Sequence, residues 1–183
     1  WERAGREMRS GYDLRTARRS MNLLTIEWQN RGINMWTIEE GTLNLVQGTA
    51  TYALPADTID LLEHVVRTGD GSVTTQSDLN ITRISVSTYS SIPNKLSQGR
   101  HIQLYVDRGQ ANPSVTVWPV PNQGTGVSPF YILKYWRMRR IQDSGTGVNT
   151  ADVNFRFLPC LVAGLAYYIA QKDPELMPRL PML

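Results

Sequence analysis

Cysteine is nearly absent from this chain of 183 residues, with Cys160 standing alone. One thiol excludes an internal disulfide framework and a multi-cysteine metal site. Histidine is also scarce: His64 and His101 are the whole supply. Nucleophilic catalysis by Ser or Cys needs a base in reach, most often His. Both histidines fall in strand-like runs outside any recognisable motif, and Cys160 sits in an apolar segment where a thiol is expected to pack as an inert small hydrophobe. Long hydrophobic runs are missing as well. The longest uncharged apolar stretch, Phe157 to Ala170, has fourteen residues, short of the ~20 that span a bilayer. The expectation is a soluble protein with no membrane contact. No charged-then-apolar leader opens the chain, and "WERAG" reads as the last helical turn before a glycine stop, so residues upstream of Trp1 are expected. Lysine is short too, with 3 against 16 arginines at a mild net charge of +3. Arginine makes planar, multidentate contacts, so the bias suits protein interfaces or phosphate.

What is present begins with a helix. Asp13 is an expected N-cap for a segment over Leu14 to Arg31, with Gly32 as its stop. Leu14, Ala17, Met21, Leu24 and Trp28 form one apolar stripe, from which Arg15, Arg18, Arg19 and Glu27 fall away. Trp28 therefore points inward, and Trp36 follows the stop, where the chain leaves helix for strand. From there the period shortens. Leu43 and Leu45, then Gln47-Gly48, then Tyr52 and Leu54 read as a hairpin ended by Pro55. Ile59 to Thr68 reads as a strand, although its apolar run alone would also suit a helix; "GDGS" at 69–72 reads as a turn and 72–81 as a polar loop. A short strand and a helical turn near Ser87 to Ser91 follow. Strands are then expected at His101 to Asp107, Ser114 to Pro121 and Phe130 to Arg140. Asp152 or Asn154 caps a last helix from Phe155 to Lys172, with Pro159 in its first turns. That helix is apolar nearly all round and must be covered on several sides. The tail "PELMPRLPML" reads as an extended arm.

The fold class is thus α+β. N- and C-terminal helices are expected to meet in a helical bundle, with a β-rich, sandwich- or barrel-like domain inserted between them in sequence, and with 1–41, 42–140 and 141–183 as the parts.

Candidate chemistry is thin. A glycosidase needs two carboxylates flanking one bond, and Glu39-Glu40 or Asp57 with Asp60 are the available pairs. Neighbours on a strand point to opposite faces, so these read as solvated acids. The loops "QGTGVSP" (123–129) and "SGTGVNT" (144–150) lack the lysine of a phosphate-binding loop and suit hairpin tips. Lys134, Arg137, Arg139 and Arg140 interleave with Tyr135 and Trp136. Aromatic and Arg residues on one sheet face can bind single-stranded nucleic acid, and charges on a strand can equally serve a protein interface. No catalytic, metal or cofactor site emerges.

Five collinear stretches carry a resemblance. They are "DLRTARRSMNLLTIEWQNRGINMWTIEEGTLNLVQGTATYALPADTIDLLEHVVR", "SIPNKLSQGRHIQLYVDRG", "VTVWPVP", "YWRMRRIQD" and "ADVNFRFLPCLVAGLAYYIAQKDPE". Together, across most of Asp13 to Glu175, the chain resembles the head-to-tail adaptor family of short-tailed bacteriophages. The resemblance implies a structural virion protein without catalytic site or cofactor. It implies a dodecameric ring below the portal protein, joined to the tail nozzle and framing the channel for exiting double-stranded DNA. Rings need two different complementary patches per subunit. Arg137, Arg139 and Arg140 are expected to contact a neighbour or the nozzle. Leu176, Met177, Leu180, Met182 and Leu183 are expected to anchor the tail on the portal. Two other readings are a glycan- or nucleic-acid-binding module using Trp118, Tyr135 and Trp136, and a wall-degrading enzyme using Glu39 or Asp57.

Overall fold

A computed structural model describes residues 2–5, 7–8, 11–69, 72, 74–109, 112–123, 130–142 and 150–182. The chain is α+β. In chain order it runs α1 (Gly11–Asn30), β1 (Ile38–Asn44), β2 (Thr51–Ala53), β3 (Thr58–Gly69), β4 (Ser77–Asn80) and β5 (Thr82–Ile84). It continues with α2 (Val86–Ser90), β6 (Gln98–Gly99), β7 (Gln103–Asp107), β8 (Ser114–Trp118), β9 (Val120–Pro121), β10 (Phe130–Arg139) and α3 (Leu158–Ala170). Two compact units result, one from 1–37 with 141–183, the other from 38–140.

In the first unit, α1 starts at Gly11, so Asp13 is not its cap. It lies in the first turn, where a carboxylate meets the positive end of the helix dipole. The stop falls at Gly32, which adopts a φ of +77°. The Ile33 amide donates to the Trp28 carbonyl and the Gly32 amide to that of Gln29. This pair of bonds is a Schellman ending, which needs a residue tolerant of positive φ. Ile33 also packs in the same cluster as Trp28. Helix α3 follows a 3-10 turn over Phe155–Phe157, where the Asn154 side chain accepts from the Arg156 amide, and Pro159 occupies its first turn. Asp152 has a different task, accepting from the Gln142 amide.

The two helices pack through Leu24, Trp28 and Leu161, with Met21, Trp36 and Phe157 around them. Gly164 makes the approach close: a Cβ there would stand 2.8 and 3.0 Å from the Leu24 methyls. A second cluster joins Ala4, Ala166, Ile169, Ala170 and Leu176. Of the predicted α1 stripe, Leu14 alone is exposed.

The second unit holds a four-stranded antiparallel sheet ordered β1-β10-β3-β4, a four-stranded sheet ordered β2-β8-β7-β5, and a small β6-β9 pair. One core serves both large sheets. Leu61, Val66, Leu133 and Tyr135 come from the first, and Leu104, Val106, Val115 and Val117 from the second. This is a sandwich, with inward residues alternating along each strand.

Two sequence expectations change here, while the strand expected at Ile59 to Thr68 is present as β3. The hairpin across Gly48 does not form, because β1 pairs with β10 and β2 with β8. Leu45 and Leu54 enter the same core from a chain that crosses between sheets. The polar stretch at 72–81 contains β4, an edge strand on β3 that buries little, so its polarity reflects an edge rather than a loop. The apolar run of β3 defied the period-2 rule because a bulge opposite Trp136 and Arg137 inserts Leu62, which breaks alternation. The turn at 69–72 and both glycine-rich loops lie largely outside the described residues.

Candidate interface site

The arginines expected to reach outward mostly turn inward. Arg137 continues the inner row of Tyr131, Leu133 and Tyr135 on β10 and is 9% exposed. One amino group of its guanidinium donates to Asp57 at 2.6 Å and to Thr58 Oγ1 at 2.9 Å. The other donates to Glu39 at 2.9 Å. Arg139 donates to the second oxygen of Glu39. The cluster therefore fastens β1, β10 and the start of β3 to one another at the end of the core. Burial works to raise the Asp57 carboxyl, but the Arg137 guanidinium outweighs it and holds the group below its ordinary range. Arg140 differs, its side chain being exposed. Glu40 points to the opposite face from Glu39 and pairs with Lys134, as the alternation of a strand requires.

A second fastener closes the sandwich through Asp60. Its carboxylate accepts from Arg83 and from Arg108, each at 2.8 Å, and caps the Leu61 amide. Arg83 also donates to the Leu61 carbonyl at 3.0 Å. Burial pushes the Asp60 carboxyl up, and Arg83 with Arg108 pulls it below the usual value. These acids are held ionised by permanent cations, the opposite of the raised carboxylic acid that general-acid catalysis needs.

The stacking platform does not assemble. Tyr135 is 3% exposed inside the sandwich, Trp136 lies on the other face of β10, and Trp118 belongs to the second sheet, its indole N–H donating to the Asn94 carbonyl. Trp28 and Trp36 are likewise walls: both pack on Phe157, and Trp36 donates to the Asp152 carbonyl. His101 is 1% exposed, edge-on to Tyr131, and neither ring nitrogen has a hydrogen-bond partner. Burial, with Arg100 nearby, pushes its pKa down to about 4. It is a packed ring rather than a base near a nucleophile. Among the described residues, no group of three or more His, Cys, Asp or Glu side chains is placed to hold a metal ion. No helix among them is long and apolar enough to cross a membrane.

The tail also departs from an outstretched arm. Met177–Met182 forms a 3-10 helix. Leu176 is 5% exposed and Leu180 packs on the same cluster, against Ala166, Ile169 and Ala170 of α3. Apolar pairs at this spacing bury themselves on the nearest open face, which sequence period alone does not reveal. Met177 and Met182 stay exposed, and Leu183 lies outside the described residues. The surface that sequence reasoning missed is on α3 itself. Phe155, just before α3, and Leu158 and Val162 on it stand exposed on one face. Cys160, two residues from each of the latter, lies on the opposite face and is exposed rather than buried. The signal was available, since a helix apolar all round needs more cover than one partner helix provides.

These features define an α+β protein whose polar clusters fasten strands and whose helix α3 leaves apolar side chains exposed. The chain belongs to the SU10 adaptor protein family, a phage head-to-tail adaptor family, which matches residues 2–180. Its place is in the virion, at the interface between portal and tail. No curated protein matches the chain.

Proposed function

We propose that the chain is one subunit of a closed ring, dodecameric as in the adaptors it resembles, seated below the portal and joined to the tail nozzle. The ring frames the passage for exiting double-stranded DNA and performs no catalysis. The family match across 2–180 carries this reading. The exposed apolar face of α3 supports it, because a cluster of large apolar side chains in water marks a contact surface. In the ring, the first unit contributes α1 and α3 to a helical bundle. Arg140, Met177 and Met182, with Leu183 beyond them, touch portal or neighbouring subunits. Arg137 and Arg139 shape the adjoining strand ends from within, and Leu176 and Leu180 hold the tail in place. Native mass spectrometry and negative-stain imaging of the protein mixed with its portal test the reading. A twelve-fold ring on the portal is expected; a protein that stays monomeric with portal present overturns it.

A further inference from the structure

One charged surface remains unused by the fold. Tyr12, Arg15, Thr16 and Arg19 of α1 and Lys172 after α3 line a recess of about 310 Å³. Among the described residues no acid lines it. Arg15, Arg18 and Arg19 enter none of the ion pairs among the described residues, whereas Arg31, Arg67, Arg83, Arg108, Arg137 and Arg139 all do. Lys172 is held in place: its ammonium donates to Ser20 Oγ at 2.8 Å, and the fully buried Ser20 hydroxyl donates to the Thr16 carbonyl at 2.9 Å. An ammonium on a flexible stem is thus tethered at the edge of a patch of unpaired guanidinium groups.

We propose that this recess binds the phosphate backbone of double-stranded DNA. Among the described residues, the lining side chains offer N–H donors from three cations and O–H donors from two hydroxyls, and no side-chain carboxylate or amide. Phosphate oxygens only accept, so they satisfy such a lining; an acidic peptide would bring amide donors that find few acceptors there. Arg15 and Arg19, one turn apart, are about 6 Å apart along the helix axis, and Arg18 extends the charge beyond the recess. The array thus meets more than one phosphate, and guanidinium forks match phosphate bidentately. No base edge is read, so the contact is independent of sequence and labile to salt. A passing duplex is steered without being held.

The proposal rests on the adaptor reading for its setting, but its test needs neither ring nor portal. Binding of the intact protein to a fluorescent 30-base-pair duplex is followed by anisotropy from 50 to 300 mM salt. The double variant R15Q/R19Q is compared with R100Q/R156Q, which removes the same charge elsewhere; circular dichroism verifies that each is folded. R15Q/R19Q is expected to lose roughly tenfold or more per arginine at 50 mM salt and to lower the log–log salt slope by about 2. The control is expected to change affinity less than about threefold. Equal losses in both variants overturn the site. So does unchanged binding in R15Q/R19Q, or polyglutamate binding as tightly as the duplex. Any of these leaves portal association untouched, and failure to form a ring leaves the duplex result untouched.

Discussion

The sandwich and the helical unit bury their apolar residues in different ways. In the sandwich, Leu45, Leu61, Leu104, Leu133, Val66, Val115 and Val117 are at most 1% exposed, and two Arg–carboxylate clusters, on Asp57 and Asp60, fasten strands around the start of β3. The helical unit divides its core into two smaller groups, one of them rich in alanine, and leaves Phe155 at 82% and Val162 at 50% exposed. The sandwich also leaves large apolar side chains in water, Leu96 at 77% and Val86 at 62%, so the two units differ in how fully each core is enclosed.

Core truncation should separate the units most sharply. Leu133→Ala is expected to lower stability by about 4 kcal/mol, near the upper part of the range for a fully enclosed leucine. Leu161→Ala, beside the looser helix pair, is expected to cost about 2 kcal/mol because neighbours can collapse on the gap. Urea titration with hydrogen exchange on peptides from 38–140 and from 141–183 measures both. Equal costs would break the contrast.

Acid should weaken the sandwich through His101. Its folded pKa of about 4 lies below the ordinary 6.5, so between those values the unfolded chain binds the proton and the folded one resists. The stability is fully present above pH 6.5 and is lost as pH falls towards 4, by about 3 kcal/mol in all. Asp57 and Asp60, held below the usual carboxylate range, lose their contribution only at lower pH. Thermal melts from pH 7 to 4 should fall steeply for the parent and more gently for His101→Phe; parallel curves would remove His101 from the account.

Glycine contacts sharpen the same comparison with smaller effects. Gly41 of β1 faces Tyr135 across the ladder, and a Cβ there would meet ring atoms at 2.4 to 2.6 Å. The ring is rigid and enclosed, so Gly41→Ala is expected to cost about 2 kcal/mol. Gly164→Ala meets methyl ends of Leu24, which can turn aside, and gains about 1 kcal/mol of helix propensity. Its net change is expected to stay under about 1 kcal/mol, read from urea midpoints.

Legibility followed the range over which each signal acts. The α1 stop was readable because Gly32 sets it locally, and the strands at 101–107 and 130–140 were readable because alternation is local. Its start was not, since nothing within α1 marks Gly11 over Asp13. The pairing of β1 and β2 was hidden because partner choice depends on residues about 60 to 100 positions away. Alternation along a strand puts Arg137 on the same face as Tyr135, but a face is inner or outer only once a second sheet covers it. The basic recess was half visible: Arg15 and Arg19 fall off the apolar stripe by spacing, while Lys172 joins them only through the fold.

The smallest perturbation tests the face that the helical unit leaves open. Val162 is exposed on the face of α3 that Leu158 and Phe155 share, whereas the exposed Cys160 lies on the opposite face. The probe is therefore the double variant Cys160→Ser/Val162→Cys, with a single thiol on the open face. A small alkylating reagent should modify the folded, unassembled variant in full, at a rate near that of the unfolded chain, and shift the melting temperature by less than about 1 °C, since no core contact is disturbed. If this face is what a ring neighbour or portal covers, assembly should slow the reaction at least tenfold, and prior modification with a bulky maleimide should hinder assembly. Equal rates before and after assembly would move the contact surface elsewhere on the helical unit, leaving the exposure of Phe155 and Val162 to be explained by some other partner. A slow reaction in the unassembled variant would instead show that the helical unit covers this face unaided, and would erase the difference between the two units at its most exposed point.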